Sequence, residues 1–227
     1  MKKLLFPLVI GAAGVAVLLS LGAWQMQRLA WKEAILSDIG KRVTSEPVSV
    51  PAHPDQHSHQ YLPVVATGRV TGDPIRVLAS QKVFGAGHRM ISRFETQGRL
   101  LMLDRGFAAL QAKVPCCDAS LTVVGNLHWP NETDSYTPAP DAKTGVWFAR
   151  DVVAMAQHLG TEPILIVARE IEPVQPGIVP LPVDTSNIPN DHLEYAITWF
   201  SLALIWLVMT AYWVWRNTAR TREPEDQ

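Results

Sequence analysis

LLFPLVIGAAGVAVLLSLGA at 4–23 and YAITWFSLALIWLVMTAYWVW at 195–215 decide how this chain is read. Neither stretch carries a charged residue. At about 1.5 Å of rise per residue, each is long enough as a helix to cross a hydrocarbon core of about 30 Å. The second closes on Tyr212, Trp213 and Trp215, residue types that favour the headgroup level. Two membrane helices are therefore expected, over 4–23 and 195–215. A cleaved secretory leader is the alternative for the first, since Lys2 and Lys3 form a positive start and Ala23 could precede a cut. Leu21 fits poorly at the small position of such a site, and the apolar run exceeds the usual length of about 7 to 15 residues, so a retained span is the expectation.

Flanking charge sets the orientation. Lys2 and Lys3 precede the first span, and Arg216, Arg220 and Arg222 follow the second, which places 1–3 and 216–227 in the cytoplasm. Residues 24–194 then form a periplasmic domain of about 170 residues held by a multi-pass hairpin in a bacterial inner membrane. Arg28, Lys32, Lys41 and Arg42 count against this, but long domains translocate largely regardless of charge. The 227 residues carry a net charge of −1, and no Lys/Arg stripe runs along a soluble stretch. Phosphate neutralisation has no source, so no nucleic acid partner is expected.

The middle reads as α+β, mainly antiparallel sheet with one short helix. Trp24 to about Val43 lacks Pro and sets Trp24, Arg28, Trp31 and Ile35 on one face, so the first helix is expected to continue past the membrane. Glu46 to His59 reads as an exposed loop. Strands are expected over 61–70, 75–79, 89–94, 100–105 and 121–129, punctuated by Gly72-Asp73-Pro74, Gly85-Ala86-Gly87 and Gln97-Gly98. A longer loop spans 130–145, a helix 149–159 ends at Gly160, and a last strand covers 164–168. Pro173, Pro176, Pro180, Pro182 and Pro189 mark 172–189 as a stiff, extended linker rather than a packed element.

Familiar catalytic signatures are missing: no P-loop, no G-x-S-x-G elbow, no H-E-x-x-H and no C-x-x-C-H. An enzyme is not suggested. His53, His57 and His59 could share a metal, but a loop without nearby Cys reads as solvated. Adjacent Cys116 and Cys117 could form a vicinal disulfide or offer thiolates to copper, and a loop after Pro115 equally suits local structure or unpaired thiols.

The most informative constellation is Asn190-Asp191-His192-Leu193-Glu194-Tyr195, just before the second span. Asp191 with Glu194 resembles a capping box, which puts His192 in the first helical turn at the outer membrane border. Tyr195, Ala196, Trp199, Ala203 and Trp206 share its face, a surface on which a flat apolar ligand could lie. Neutral imidazole is a standard axial ligand for haem iron. On the residues alone the duller account is favoured: Ala196 and Ala203 let this helix pack against Gly11 and Gly14 of the first, with the aromatics anchoring the border.

LGAWQMQRLAWK at 21–32 and NDHLEYAITWFSLA at 190–203 resemble the SURF1 (Shy1) family at both membrane borders. Tyr61 with Gly68, the turn at Gly87, Leu103-Asp104-Arg105-Gly106-Phe107 and Trp147-Phe148 resemble it between them in the same order. Members commonly read closer to NRGW where this chain has DRGF at 104–107, and the cysteine pair and histidine loop stand outside the pattern. The resemblance implies a role in cytochrome c oxidase biogenesis, with bacterial members binding haem a and assisting its placement in the catalytic subunit. His192 is the matching metal ligand. Tyr195 and Trp199 would wall the pocket, and Trp24, Gln25 and Arg28 would face them from the first span or bind the propionates. Partners so implied are the oxidase catalytic subunit, a haem a synthase and the lipid membrane. Such a protein would be a chaperone that binds and hands over rather than an enzyme. The competing classes are a scaffold that binds no cofactor, a copper-handling assembly protein using Cys116, Cys117 and the loop histidines, and a membrane-tethered enzyme.

Overall fold

In a computed structural model, which describes residues 2–112, 114, 120–185 and 188–220, the apolar ends form two long helices. Cys116 and Cys117 lie outside the described residues. Helix α1 covers Lys2–Val43 and so continues past the first apolar stretch as expected. Helix α4 covers His192–Arg220, which puts His192 in its first turn as expected and carries the helix past the apolar stretch at 195–215. Their apolar segments reach mean hydropathies of 2.3 and 1.7, and only 11% and 6% of those windows are buried. A soluble protein would bury such surface in its core. These helices instead turn Phe6, Val9, Leu204 and Met209 outward, as a lipid-facing helix does.

Two units are distinguished: Met1–Asp38 with Ser186–Gln227, and Ile39–Thr185. In the first, α1 and α4 pack antiparallel. Thr210 lies against Gly11, Trp206 against Gly14 and Phe200 against Gly22. Ala196 and Ala203 are 1% and 3% exposed. The small residues do serve helix packing, but Gly11, Gly14 and Gly22 of α1 each accommodate a larger side chain of α4.

In the second unit the strands are β1 (Val48–Ser49), β2 (Pro63–Gln81), β3 (Gly85–Thr96), β4 (Arg99–Ala109), β5 (Ser120–Leu127), β6 (Val146–Trp147) and β7 (Leu165–Glu172). Two helices join them, α2 (Gln56–His59) and α3 (Val152–Leu159). The sheet runs β2-β3-β4-β7-β5 and closes because β5 also pairs with β2. A five-stranded barrel results, with β1 and β6 added parallel to β2. Most ladders are antiparallel, as expected, while β4 and β7 run parallel.

Closure depends on β2. Its first part pairs with β5 up to Arg69↔Ser120, and its remainder pairs with β3 from Arg69↔Glu95 onward. Gly72-Asp73-Pro74, expected to be a turn between two strands, is instead an irregularity inside one strand, between Thr71 and Ile75. Gly72 takes φ +70°, and Pro74, which has no N–H, is tolerated at a bulge. A bulge bends its strand, and a bent strand can serve two neighbours in a closed barrel. Gly85-Ala86-Gly87 is likewise strand rather than turn, since residues 82–84 make the reversal. The Gln97-Gly98 turn is as expected: both take positive φ (51° and 72°) between the paired Thr96 and Arg99, as a two-residue hairpin of primed type requires. The expected loop 46–59 holds the short β1 and the single turn α2, the latter begun by Asp55 accepting from the Ser58 N–H.

Leu101 to Leu103 of β4 and Leu165 to Ala168 of β7 are apolar at successive positions because both faces are covered there. Leu101, Leu103, Ile166 and Ala168 point into the barrel with Phe94 and Val123. Met102, Leu165 and Val167 point outward, where Met155, Ala156 and Leu159 of α3 cover them. Asp151 starts α3 by accepting from the N–H groups of Val153 and Ala154, and Gly160 ends it in the left-handed conformation.

The Pro-rich stretch departs from its expectation. Phe107 and Val179 exchange backbone hydrogen bonds of 2.7 and 2.8 Å, Ile178 is buried, and Arg89 Nη2 donates to the Leu181 carbonyl at 2.8 Å. The chain leaving β7 is therefore a strap packed on β4. Free backbone N–H and C=O groups of β4 hold it, and composition does not reveal that such groups are available.

Candidate functional site at the border of the paired helices

His192 is the first residue of α4, and the Asp191 carbonyl before it accepts from the Tyr195 N–H at 3.2 Å. Its ring is half-buried. Nδ1 lies 2.7 Å from Oε1 of Gln25, a half-buried residue of α1. With the amide oxygen toward the ring, Nδ1–H is the donor; with the amide turned over, its NH2 would donate to Nδ1 instead. Nε2 is the ring nitrogen left outside this contact, and imidazole Nε2 is a common metal-ligand atom. Two turns farther along α1, Lys32 Nζ donates to the Pro189 carbonyl. The segment entering α4 is thus tied to α1 at His192 and three residues before it. Asn190 Oδ1, two residues before the histidine, is buried without a hydrogen-bond partner.

The other expected site residues divide. Trp199 is half-buried and Tyr195 is 56% exposed, so α4 presents open aromatic surface in the two turns after His192. On α1, the Arg28 guanidinium lies over Trp24 at 5.6 Å and over Trp31 at 5.3 Å from the ring centroids. These three form a cation–aromatic stack along one face, with Trp24 and Trp31 well exposed. The structure joins Gln25 directly to His192. It shows Arg28 engaged by aromatics of its own helix.

Among the described residues, no group of three or more His, Cys, Asp or Glu is placed to hold a metal ion. Of the loop histidines, His59 has a local partner: its Nδ1 accepts from the Asp55 N–H at 3.0 Å.

The barrel unit carries an ionic cluster that sequence reading missed. Asp104 is fully buried. Its carboxylate accepts from Arg89 Nε at 2.7 Å, from Arg150 at 3.4 Å and from the Gly106 N–H at 3.1 Å. Arg150 also grips Glu132. Burial works against the Arg150 charge, but its bonds to Glu132 and Asp104 outweigh that and hold its pKa up. His128 is pushed down to about 4, by burial first and then by the nearby Arg150. Beside the strap, Arg105 donates to Gln175 Oε1 at 2.6 Å, and burial lowers its pKa to about 10. Asp104, Arg105, Gly106 and Phe107, one of the stretches singled out by resemblance, are accordingly a clamp for the strap. The only sequence signal was a charged pair inside an apolar strand.

The SURF1 family model matches residues 12–204, from within the first apolar helix into the second. The chain belongs to the SURF1 family. Relatives span kingdoms. A SURF1-like protein of Rickettsia felis is 30% identical over 213 residues, covering 85% of this chain and 90% of its own length. Another, from Rickettsia prowazekii, is 29% identical over 224 residues, covering 92% and 88%. Human Surfeit locus protein 1 is 28% identical over 211 residues, covering 81% of this chain and 69% of its own. The matched span of this SURF1 member includes both halves of the Gln25–His192 pair and the whole barrel.

Proposed function

We propose that this SURF1-family protein is an assembly factor for cytochrome c oxidase that binds haem a through His192 and assists its insertion into the catalytic subunit. Family membership supports the assembly role. The observation that carries the cofactor reading is the 2.7 Å contact of His192 Nδ1 with Gln25 Oε1, because it engages the ring through Nδ1 and leaves Nε2 as the atom that would meet a metal. Haem a would be held by His192 Nε2, with the open aromatic surface of Tyr195 and Trp199 against the macrocycle and Trp24 and Arg28 toward its charged edge. When bound, the haem would supply an iron that His192 could ligate and later release.

The protein's own part is to bind, orient and release, with no bond-making step, so it is a chaperone rather than an enzyme. Its exposed apolar helices suit a bacterial inner membrane, with 24–194 on the periplasmic side and both ends in the cytoplasm. Haem a synthase would supply the cofactor and the oxidase catalytic subunit would receive it; no nucleic acid takes part. The test is the absorption spectrum of detergent-purified protein, wild type and His192→Ala, after co-expression with haem a synthesis enzymes. Haem a bands that vanish or shift in the variant are the expected result. A wild type that stays empty under demonstrated haem a supply overturns the cofactor reading and leaves a scaffold.

A further inference from the structure

We infer that Gln25 is the positioning residue that sets the tautomer of His192, and with it how firmly the ligand atom holds and how readily it lets go; this rests on the haem-binding reading above. The geometry is specific. Gln25 reaches His192 from a different helix, 167 positions away in the chain, at 2.7 Å. Lys32 fixes the same junction through the Pro189 carbonyl.

The chemistry lies in the choice of an amide. Histidines that bind metals through one ring nitrogen commonly donate the other N–H to a carboxylate, a carbonyl or water. A carboxylate draws that proton strongly and makes the ligand atom more basic. A neutral amide oxygen orients the ring and selects the tautomer while adding little basicity. An amide also has a second face. Rotated by half a turn, its NH2 donates to Nδ1, the ring proton then resides on Nε2, and the lone pair that would bind iron is gone. Proton count is unchanged: one proton leaves Nδ1 and one is taken up at Nε2 through water at the membrane border. Gln25 therefore supports a ligating and a non-ligating state of the same histidine. Glutamate can only accept, and leucine does neither.

The two substitutions are expected to act in opposite directions. In full-length apo protein in detergent, 15N spectra of the imidazole should show the Nδ1–H tautomer in the wild type and a shift toward Nε2–H in Gln25→Leu. In protein loaded with haem a, Gln25→Glu should lower the iron reduction potential and slow transfer to apomyoglobin about tenfold or more, whereas Gln25→Leu should speed transfer by a similar factor. Unaltered helical circular dichroism in both variants confirms the fold. Wild-type-like tautomer, potential and transfer rate in both variants, with haem still bound through His192, would overturn the inference. If the tautomer shifts as stated but the wild type binds no haem a, the positioning role stands and the haem reading is what fails.

Discussion

Asp104 shows what a single buried charge demands. Its side chain is fully buried, and those of Arg89 and Arg150 are 17% and 11% exposed. Removing one member strands the others in a low-dielectric setting, which costs more than the intact pair contributes. Asp104→Ala is therefore expected to destabilise the protein by about 3 kcal/mol or more, read as a lower urea midpoint at unchanged slope. His128 makes the second residue-level prediction. Its folded pKa of about 4 lies below the ordinary value of 6.5, so the unfolded chain binds the proton more readily. Its contribution is fully present above about pH 6.5 and is lost as pH falls toward 4, up to roughly 3 kcal/mol. His128→Gln should flatten the stability profile in that window, and an equal decline in variant and wild type would count against a buried neutral imidazole. Asp104 could be read in sequence as a charge within a strand. Its partners Arg89, Arg150 and Glu132 could not, because they arrive from β3 and from loops far along the chain.

At the scale of elements, the strap between β7 and α4 is held by consecutive residues of β4. Arg105 bonds Gln175, Phe107 pairs with Val179, and Gly106 lies directly beneath the Val179 carbonyl. Gly106 takes φ +114°, and a Cβ there would collide with that carbonyl and with Pro180. Gly106→Ala should cost about 2 kcal/mol or more and loosen the strap. Hydrogen exchange at the Phe107 and Val179 amides checks this: both should lose protection while the β3–β4 ladder around Phe94 keeps it. Helix α3 was legible because its ends carry local chemistry, Asp151 at the start and Gly160 at the stop. The bulge in β2 was misread as a turn because Gly-Asp-Pro serves both; only the partner strand tells which.

For the whole molecule, the exposed apolar helices and the closed barrel make distinct demands. If α1 and α4 cross a membrane as an antiparallel pair, both chain ends are expected on one side of it and 24–194 on the other. Reporter fusions after Gln227 and within the loop at 130–145 should therefore report opposite compartments, cytoplasm and periplasm, and matching signals would reject the hairpin. Sequence alone determined what composition and local spacing can encode. Uncharged runs of membrane length, alternation in strands, the Gln97-Gly98 hairpin and the caps of α3 depend on near neighbours, so they survive in a linear reading. Tertiary structure alone decided the closure of the sheet through β5 and β2, the clamp that turned a presumed linker into a packed strap, and the meeting of Gln25 with His192. Each of these joins groups remote in sequence through hydrogen bonds whose donors and acceptors nearly every residue carries. No local pattern marks which of them will meet; the folded geometry selects the pair.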